Sequence, residues 1–161
     1  MTRKPTGRVE RTPRGRELII TRSFRADIED VWESVTASES TARWIGSWSG
    51  EPGPGKVVQF KMLFEGGDHE SPALIERCEA PHHLAVSLKD QQGEWRLDLT
   101  LKQQGGTTEL TFVQQLTSDQ SAGEIGPGWE YYLDRLVAAR AGAAMPEFDE
   151  YYPAQKGHYE H

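Results

Sequence analysis

Hydrophobic positions in the first third of this chain repeat with the period of a helix. The positions at i, i+3, i+4 and i+7 are occupied by Ile28, Val31, Trp32 and Val35. This spacing places them on one face of an amphipathic helix, for which Asp27 is a candidate N-cap. We predict a second short helix that opens at Ser38 and carries Trp44 and Ile45.

Between residues 57 and 116 the apolar positions alternate with a period of two, which is typical of half-buried strands. The residues predicted to share the buried face are Val58, Phe60, Met62 and Phe64, then Trp95, Leu97, Leu99 and Leu101, then Leu110, Phe112, Gln114 and Leu116. Further strands are predicted at residues 17–24, 73–79 and 84–88, and a hairpin loop at residues 65–68. The short connections between these runs favour an antiparallel meander.

A wide apolar stripe predicts a long helix near the C-terminus. Its members at i, i+3, i+4, i+7 and i+8 are Trp129, Tyr132, Leu133, Leu136 and Val137. Pro127 suits the first turn of this helix, because its missing N–H would be unpaired there. Gly142 and Pro146 are predicted to end the helix.

The predicted order of elements is one strand, two short helices, further antiparallel strands and one long helix. An antiparallel sheet needs its apolar face covered, and only the terminal helix is long and apolar enough to cover it. We therefore predict an α+β domain over residues 17–145, in which a curved antiparallel sheet of about seven strands wraps the C-terminal helix. Residues 1–16 are predicted to be a disordered basic arm, and residues 146–161 an acidic aromatic tail that either docks or is disordered.

Charge is distributed unevenly along the 161 residues. Residues 1–16 carry six basic groups and one acid, so the total net charge of −7 leaves −12 on the remaining chain. An acidic body repels phosphates, which argues against nucleic-acid binding. No apolar run reaches the roughly 18 residues of a membrane span. The N-terminus lacks the apolar segment of a secretory signal, so we expect a cytoplasmic protein.

The sequence lacks the motifs of the common catalytic and metal sites. Cys78 is the only cysteine, and His82 and His83 lie in a predicted turn, where adjacent side chains diverge. No glycine-rich loop follows a strand, as nucleotide binding would require. We therefore predict no metal, no cofactor and no catalytic residue. The strand at residues 73–79 leaves its phase open, since Leu74, Glu76 and Cys78 compete with Ala73, Ile75 and Arg77 for the buried face.

Several short motifs, taken in order, resemble a known group of proteins. They are Phe24 to Trp32, Arg43-Trp44-Ile45, Trp48-Ser49-Gly50, Gly53-Pro54-Gly55, Ile75 to Pro81, Gly106 to Leu110 and Gly128-Trp129. Together they resemble the START-related, Bet v-type helix-grip superfamily (SRPBCC), and within it the bacterial family similar to the activator of the heat-shock protein 90 ATPase. The resemblance covers residues 17–145 and implies a hydrophobic cavity between the sheet and the long helix. Members of the superfamily include lipid carriers, plant ligand-binding proteins, polyketide cyclases and aromatases, and chaperone activators.

Inward-facing residues of the predicted sheet and helix form the candidate ligand site. The ten residues are Trp44, Phe60, Met62, Trp95, Leu97, Phe112, Gln114, Trp129, Tyr132 and Leu133. Gln114 and Tyr132 are the candidates for orienting a ligand, because a polar group on an apolar face needs a partner. That partner is either protein or ligand, and the aromatic side chains either line a cavity or fill the core.

We expect a protein that binds a hydrophobic small molecule, either lipid-like or aromatic and polyketide-like. One alternative is an enzyme of the polyketide cyclase or aromatase kind, which needs two or more titratable groups in the cavity. Another alternative is an interaction module that activates a chaperone ATPase. A chaperone partner is not expected, because nothing in the sequence matches the N-terminal domain of true co-chaperones. An exposed sheet edge could also pair two subunits into a homodimer.

Overall fold

The alternating segments of the chain pair into one antiparallel sheet. The computed structural model describes residues 3–64, 70–90 and 93–160, and this part of the chain contributes eight strands. The strands are β1 (Arg8–Thr12), β2 (Gly15–Phe24), β3 (Gly46–Ser49), β4 (Val57–Met62), β5 (Glu70–Glu79), β6 (His83–Asp90), β7 (Gly93–Gln104) and β8 (Thr107–Leu116). Their order across the sheet is β1-β2-β8-β7-β6-β5-β4-β3. The hairpin loop predicted at residues 65–68 lies outside the described residues.

One long helix covers part of this sheet. The helices are α1 (Ile28–Thr36), α2 (Ser38–Thr41), α3 (Ala122–Ala141) and α4 (Lys156–Tyr159), with a 3₁₀ turn at Phe148–Glu150. Leu133 and Leu136 of α3 share a buried core with Leu18 and Ile20 of β2. The predicted α+β helix-grip fold is confirmed, with β1 and β3 extending the sheet beyond the predicted strands. No helix in the described ranges is long and apolar enough to cross a membrane.

The N-terminal arm differs from the prediction, because part of it is ordered. Residues 8–12 form β1, which pairs with β2 in a hairpin whose register places Val9 opposite Leu18. Gly15 has a φ of 120°, a conformation that glycine adopts readily in a tight turn. The basic composition had indicated a solvated arm. The exposed side chains of Arg8 and Glu10 alternate with the half-buried Val9, which gives the segment an apolar face to pack.

The C-terminal boundary of α2 also differs from the prediction. The helix ends at Thr41, so Trp44 and Ile45 lie in the following turn rather than in the helix. The backbone N–H groups of both residues donate to the carbonyl of Thr41. These hydrogen bonds form a tight turn directly after the helix. The side chains of Trp44 and Ile45 are both buried in the core, and β3 begins at the next residue.

Helix α3 begins five residues earlier than Pro127, whose predicted place in the first turn is wrong. The carbonyl of Ser121 accepts hydrogen bonds from Glu124 and Ile125, so the helix starts at Ala122. The glycines ahead of the proline resemble a loop, but a Cβ on Gly126 would lie 2.6 Å from the Tyr159 ring. Glycine therefore serves close packing between the helix and the C-terminal tail.

A β-bulge explains why β5 had no single phase. Ala73 and Ile75 are buried on the core face, Arg77 is exposed, and the register shifts between Ile75 and Arg77. Beyond the shift, Cys78 packs with the same minor core as Ile75. Because an extra residue in one strand swaps the faces, each competing phase is correct on one side of the bulge.

Two residues assigned to buried faces are exposed. Phe64 lies beyond the end of β4 and is 39% exposed, and Val137 on α3 is 37% exposed. Both positions fit the apolar period, but the strand ends before Phe64, and Val137 lies beyond the area of helix that the sheet covers. Periodicity identifies the face of an element but not how far its partner extends.

The chain termini pack against α3 beside strand β2. Tyr151 and Tyr159 of the C-terminal tail are almost fully buried, and the hydroxyl of Tyr151 donates to Asp134 at 2.7 Å. The tail therefore docks on the body, which settles the alternative left open by the sequence. Because both sides of α3 are buried, its polar residues Glu130 and Asp134 lie under other chain segments rather than in solvent.

Glu130 is the centre of this docking surface. It is 1% exposed, and its carboxylate accepts hydrogen bonds from the backbone and hydroxyl of Thr6, the backbone of Gly7 and the hydroxyl of Tyr159. Arg22 of β2 completes the cluster with an ion pair at 3.1 Å. One carboxylate thus joins the N-terminal arm, the sheet, the long helix and the tail.

The surroundings of Glu130 keep it ionised. Burial on its own would raise the pKa of this carboxyl, but the hydrogen bonds from Thr6, Tyr159 and Gly7 outweigh burial and lower the pKa below its ordinary value. A carboxyl whose pKa is lowered in the folded state contributes stability above its unfolded pKa, about 4.3, and loses it as the pH falls through the folded value.

We predict that Glu130→Gln lowers the free energy of unfolding at neutral pH by about 3 kcal/mol, because it leaves the Thr6 donors without their charged acceptor and Arg22 with Asp134 alone. Below about pH 4 the difference between wild type and variant should shrink, since wild-type Glu130 is then losing its charge. Urea unfolding at a series of pH values measures both effects.

Glu124→Gln on the same helix is the matched control, because Glu124 pairs with Lys156 on the surface. Its unfolding midpoint should stay close to that of the wild type. Equal losses in the two variants would contradict the central role of Glu130.

Candidate ligand-binding trough

The register of the sheet aligns a row of side chains across its helix-facing side. Leu18 of β2 lies opposite Gln114 of β8, which lies opposite Leu97 of β7, then Val86 of β6 and Ile75 of β5. Gln114 is the only polar member of this row. An amide in such a position needs a specific reason, because its neighbours offer no hydrogen bonds.

Burial along the row is uneven. Leu18 and Gln114 are fully buried beneath α3, Leu97 and Val86 are half-buried, and Ile75 is buried again in a separate minor core. We call the half-buried strip between the two cores the trough. It consists of Phe60, Met62, Leu84, Val86, Leu88, Trp95, Leu97, Leu99 and Trp129. The trough is apolar, open to solvent and bordered on one side by α3.

A chain of aromatic ring contacts leads from Phe112 in the main core through Trp129, which belongs to the trough, to Tyr132 and Tyr131. The ring of Phe112 lies 4.5 Å from that of Trp129, which lies 6.1 Å from that of Tyr132. Tyr132 in turn lies 5.2 Å from Tyr131. These separations are those of packed aromatic pairs, so the rings support one another's orientation.

Gln114 is held by one end only. It is 0% exposed, and its Oε1 accepts a hydrogen bond from the indole N–H of Trp129 at 2.7 Å. Because an indole nitrogen only donates, the bond identifies the amide oxygen and leaves Nε2 as the other end. Nε2 is buried and has no hydrogen-bond partner in the structure. A buried donor without a partner costs about 1–3 kcal/mol, which makes this amide a candidate for contact with a ligand.

The ten residues predicted for the site divide into two groups. Those buried in the main core are Trp44, Phe112, Gln114, Tyr132 and Leu133. Those that are half-buried and reach the trough are Phe60, Met62, Trp95, Leu97 and Trp129. The structure brings the two groups together along one border of the sheet and α3.

Trp44 has a structural reason for its burial. Its indole N–H donates to the carbonyl of Ser34 at 3.0 Å, which joins the turn after α2 to α1. The indole is therefore satisfied within the protein, unlike the amide of Gln114. Trp44 is therefore a structural core residue, whereas Gln114 is a polar residue beside an apolar strip.

Arg135 is a buried residue that the sequence analysis missed. It follows Tyr132 by three positions on α3 and is 7% exposed. Its Nε donates to the carbonyl of Trp44 at 3.0 Å, and its guanidinium lies 3.8 Å from the ring centre of Phe64. Arginine in a helix is usually solvated. Only its position at the edge of the apolar stripe, beside Leu136, indicated burial.

Other features of the surface lie away from the trough. One shallow pocket lies between α3 and the tail and is lined by Asp134, Ala138 and Pro146, and another lies on the outer side of the sheet near Lys102. None of the ten predicted site residues lines either pocket. Within residues 3–64, 70–90 and 93–160, no group of three or more His, Cys, Asp or Glu side chains is placed to hold a metal ion.

Comparison with known proteins supports the resemblance found in the sequence. The model of the family described as activator of Hsp90 ATPase homolog 1-like protein matches residues 25–141. No curated protein matches the chain.

Solved structures share the fold over most of the chain. CalU16 from Micromonospora echinospora is 25% identical, with a TM-score of 0.77 over 97% of this chain and 94% of its own. A Bordetella parapertussis protein encoded by the gene BPP1335 is 21% identical, with a TM-score of 0.71 over 98% and 95% of the two chains. DynU16, from the dynemicin biosynthetic locus, is 20% identical, with a TM-score of 0.69 over 82% of this chain and 50% of its own.

We predict that Gln114→Leu leaves the free energy of unfolding of the ligand-free protein within about 1 kcal/mol of the wild type, or raises it. The substitution removes the unpartnered donor together with its cost, and the half-buried indole of Trp129 can turn to water. Thermal and denaturant unfolding measure the change.

Gln120→Leu provides the comparison, because Gln120 is also buried but uses both ends of its amide. Its Oε1 accepts from the backbone of Thr117 at 2.9 Å, and its Nε2 donates to the carbonyl of Glu94 at 3.2 Å. This variant should lose about 1–3 kcal/mol. A similar loss in both variants would mean that Gln114 is an ordinary structural glutamine.

Proposed function

Because the chain belongs to the activator of Hsp90 ATPase homolog 1-like family, within the helix-grip proteins, we propose that it binds a hydrophobic small molecule in the trough. The ligand lies on the half-buried strip of the sheet beside α3. We expect a lipid-like or aromatic ligand, because the side chains of the trough are aliphatic and aromatic. The trough and the ten predicted site residues then act together as one binding surface.

The observation that carries this proposal is the amide of Gln114. It occupies the centre of an apolar row, gives its oxygen to Trp129 and leaves a buried N–H without a partner. Binding pockets for small molecules are mostly apolar with a few placed polar groups that orient the ligand. A carbonyl, ether or other acceptor on the ligand would complete the hydrogen bonds of this group.

The apolar strip itself favours an occupant. The half-buried residues include Phe60, Leu84, Val86 and Leu97, which lie on strands β4, β6 and β7. Burying one such side chain fully is worth about 1.5–3 kcal/mol, so an apolar ligand that covers several of them gains binding energy. A large contiguous patch of exposed apolar side chains on a folded protein usually marks a site that binds a ligand or a partner.

Binding is proposed rather than a cyclase or aromatase reaction. The polar groups beside the trough are the amide of Gln114, the hydroxyls of Tyr131 and Tyr132, and the guanidinium of Arg135. No histidine or carboxylate belongs to the trough as defined among the described residues. Two titratable groups near neutrality would be needed for general acid–base catalysis. DynU16 shares the fold at 20% identity, and its locus assigns no ligand to this chain.

We predict that Val86→Trp weakens binding of N-phenylnaphthylamine, a neutral aromatic probe, by about tenfold or more. The added indole would occupy the trough between Leu97 and Ile75, the cross-strand neighbours of Val86. Fluorescence titration gives the affinity, and a single saturating site is expected for the wild type.

Val57→Trp is the matched control, because Val57 is 54% exposed and its register partner Leu74 shares the opposite face of the sheet. This variant should bind the probe as the wild type does. Failure of the wild type to bind, or equal loss in both variants, would overturn the proposed site.

A further inference from the structure

Arg135 is a buried cation that has no ion pair with any acidic side chain in residues 3–64, 70–90 and 93–160. Its hydrogen bonds go to the backbone carbonyl of Trp44 and, at 3.3 Å from Nη1, to the hydroxyl of Tyr131. Within the described part of the chain, no carboxylate lies within 4.0 Å of the guanidinium. Aromatic faces are the other neighbours, with Phe64 at 3.8 Å and Tyr131 at 5.5 Å.

A second arginine of the same protein shows the usual solution. Arg22 is also largely buried, and it pairs with Glu130 at 3.1 Å and with Asp134 at 2.9 Å. Both carboxylates come from α3, the helix that carries Arg135. Helix α3 therefore supplies two acids to Arg22, whereas its own Arg135 has no acidic partner in the part of the chain that the structure describes.

An unpaired buried charge is costly, and cation–π contacts offset only part of that cost. A guanidinium has five N–H donors in a rigid planar fork, and Arg135 uses two of them in the bonds described above. The fork matches the two oxygens of a carboxylate or a similar oxyanion. The chemistry that would satisfy this group is a ligand anion.

A chain of side-chain contacts connects Arg135 to the edge of the trough. Tyr131, which receives its hydrogen bond, is in ring contact with Tyr132, and Tyr132 is in ring contact with Trp129. Trp129 in turn holds Gln114. Arg135 follows Trp129 by six positions on α3, so their Cα atoms are separated by roughly 9 Å along the helix axis. A ligand that reaches both polar groups must therefore be elongated.

We propose that the ligand is an elongated hydrophobic anion, whose oxyanion group pairs with Arg135 while its apolar body lies in the trough towards Gln114. This inference rests on the proposed function and adds the charge of the ligand and the end at which it is held. Phe64 and Tyr131 flank the guanidinium and form the apolar walls of the anion subsite.

The test compares two probes with one aromatic skeleton. Anilinonaphthalene sulfonate carries an oxyanion, and N-phenylnaphthylamine lacks it. The wild type should bind the sulfonate about tenfold more tightly than the neutral probe. Arg135→Gln should remove this preference by weakening the sulfonate about tenfold while leaving the neutral probe within about twofold.

Two further variants separate charge from structure. Arg135→Lys keeps the cation and should keep most of the preference for the sulfonate, even if the loss of the fork weakens it. Arg25→Gln removes one positive charge from the exposed loop between β2 and α1 and should leave both affinities unchanged. Melting curves of each variant show which of them are folded.

The outcomes distinguish this inference from the proposed function. If the wild type binds both probes equally, or if Arg135→Gln weakens both probes alike, the anion subsite is overturned and the binding trough stands. If neither probe binds the wild type, the trough fails and the anion subsite fails with it. If the arginine variants do not fold, the preference of the wild type decides, and equal affinities overturn the proposal.

Discussion

A single helix is narrower than the sheet that it has to cover. Seven spacings of about 4.8 Å separate the outer strands of an eight-stranded sheet, a width of roughly 34 Å, whereas a helix with its side chains is about 10 Å across. Helix α3 covers β2 and β8, and α1 packs against β7. The strip over β6 and β7 is left half-buried between two cores. The open apolar strip is thus a consequence of the architecture, and it lies beside Gln114, whose Nε2 is the one buried side-chain donor without a partner within the described ranges.

Contacts with the chain termini and with β2 hold α3 in position. The arm, the tail and β2 meet at Glu130, and Tyr159 packs against a glycine of the helix. Burial on both sides means that the helix does not depend on the trough for its support. The protein can therefore leave part of its sheet uncovered without losing the element that borders it, which is a requirement for a site that exchanges its ligand with solvent.

Most of the fold could be predicted from the sequence, because helical and strand periods record which face of each element is buried. The errors arise where tertiary contacts override local pattern. Gly126 indicates a loop until Tyr159 packs against it, and Val9 lies in a basic segment whose composition conceals a strand. The same limit applies to the site. Gln114 could be singled out as a polar residue in an apolar row, whereas Arg135 could not, because only the packed structure shows that its charge has no acidic partner among the described side chains.

Binding in the trough brings the ligand to Gln114, whose side-chain amide can be observed by NMR. Acetylnaphthalene is a neutral aromatic ketone with one strong acceptor. On titration, the Nε2 protons of Gln114 should shift downfield with the same affinity as resonances from Val86 and Leu97, and resonances from the opposite face of the sheet, such as those of Val57, should not move. Saturable binding that leaves the Gln114 amide unchanged, or that perturbs the outer face of the sheet instead, would contradict the account.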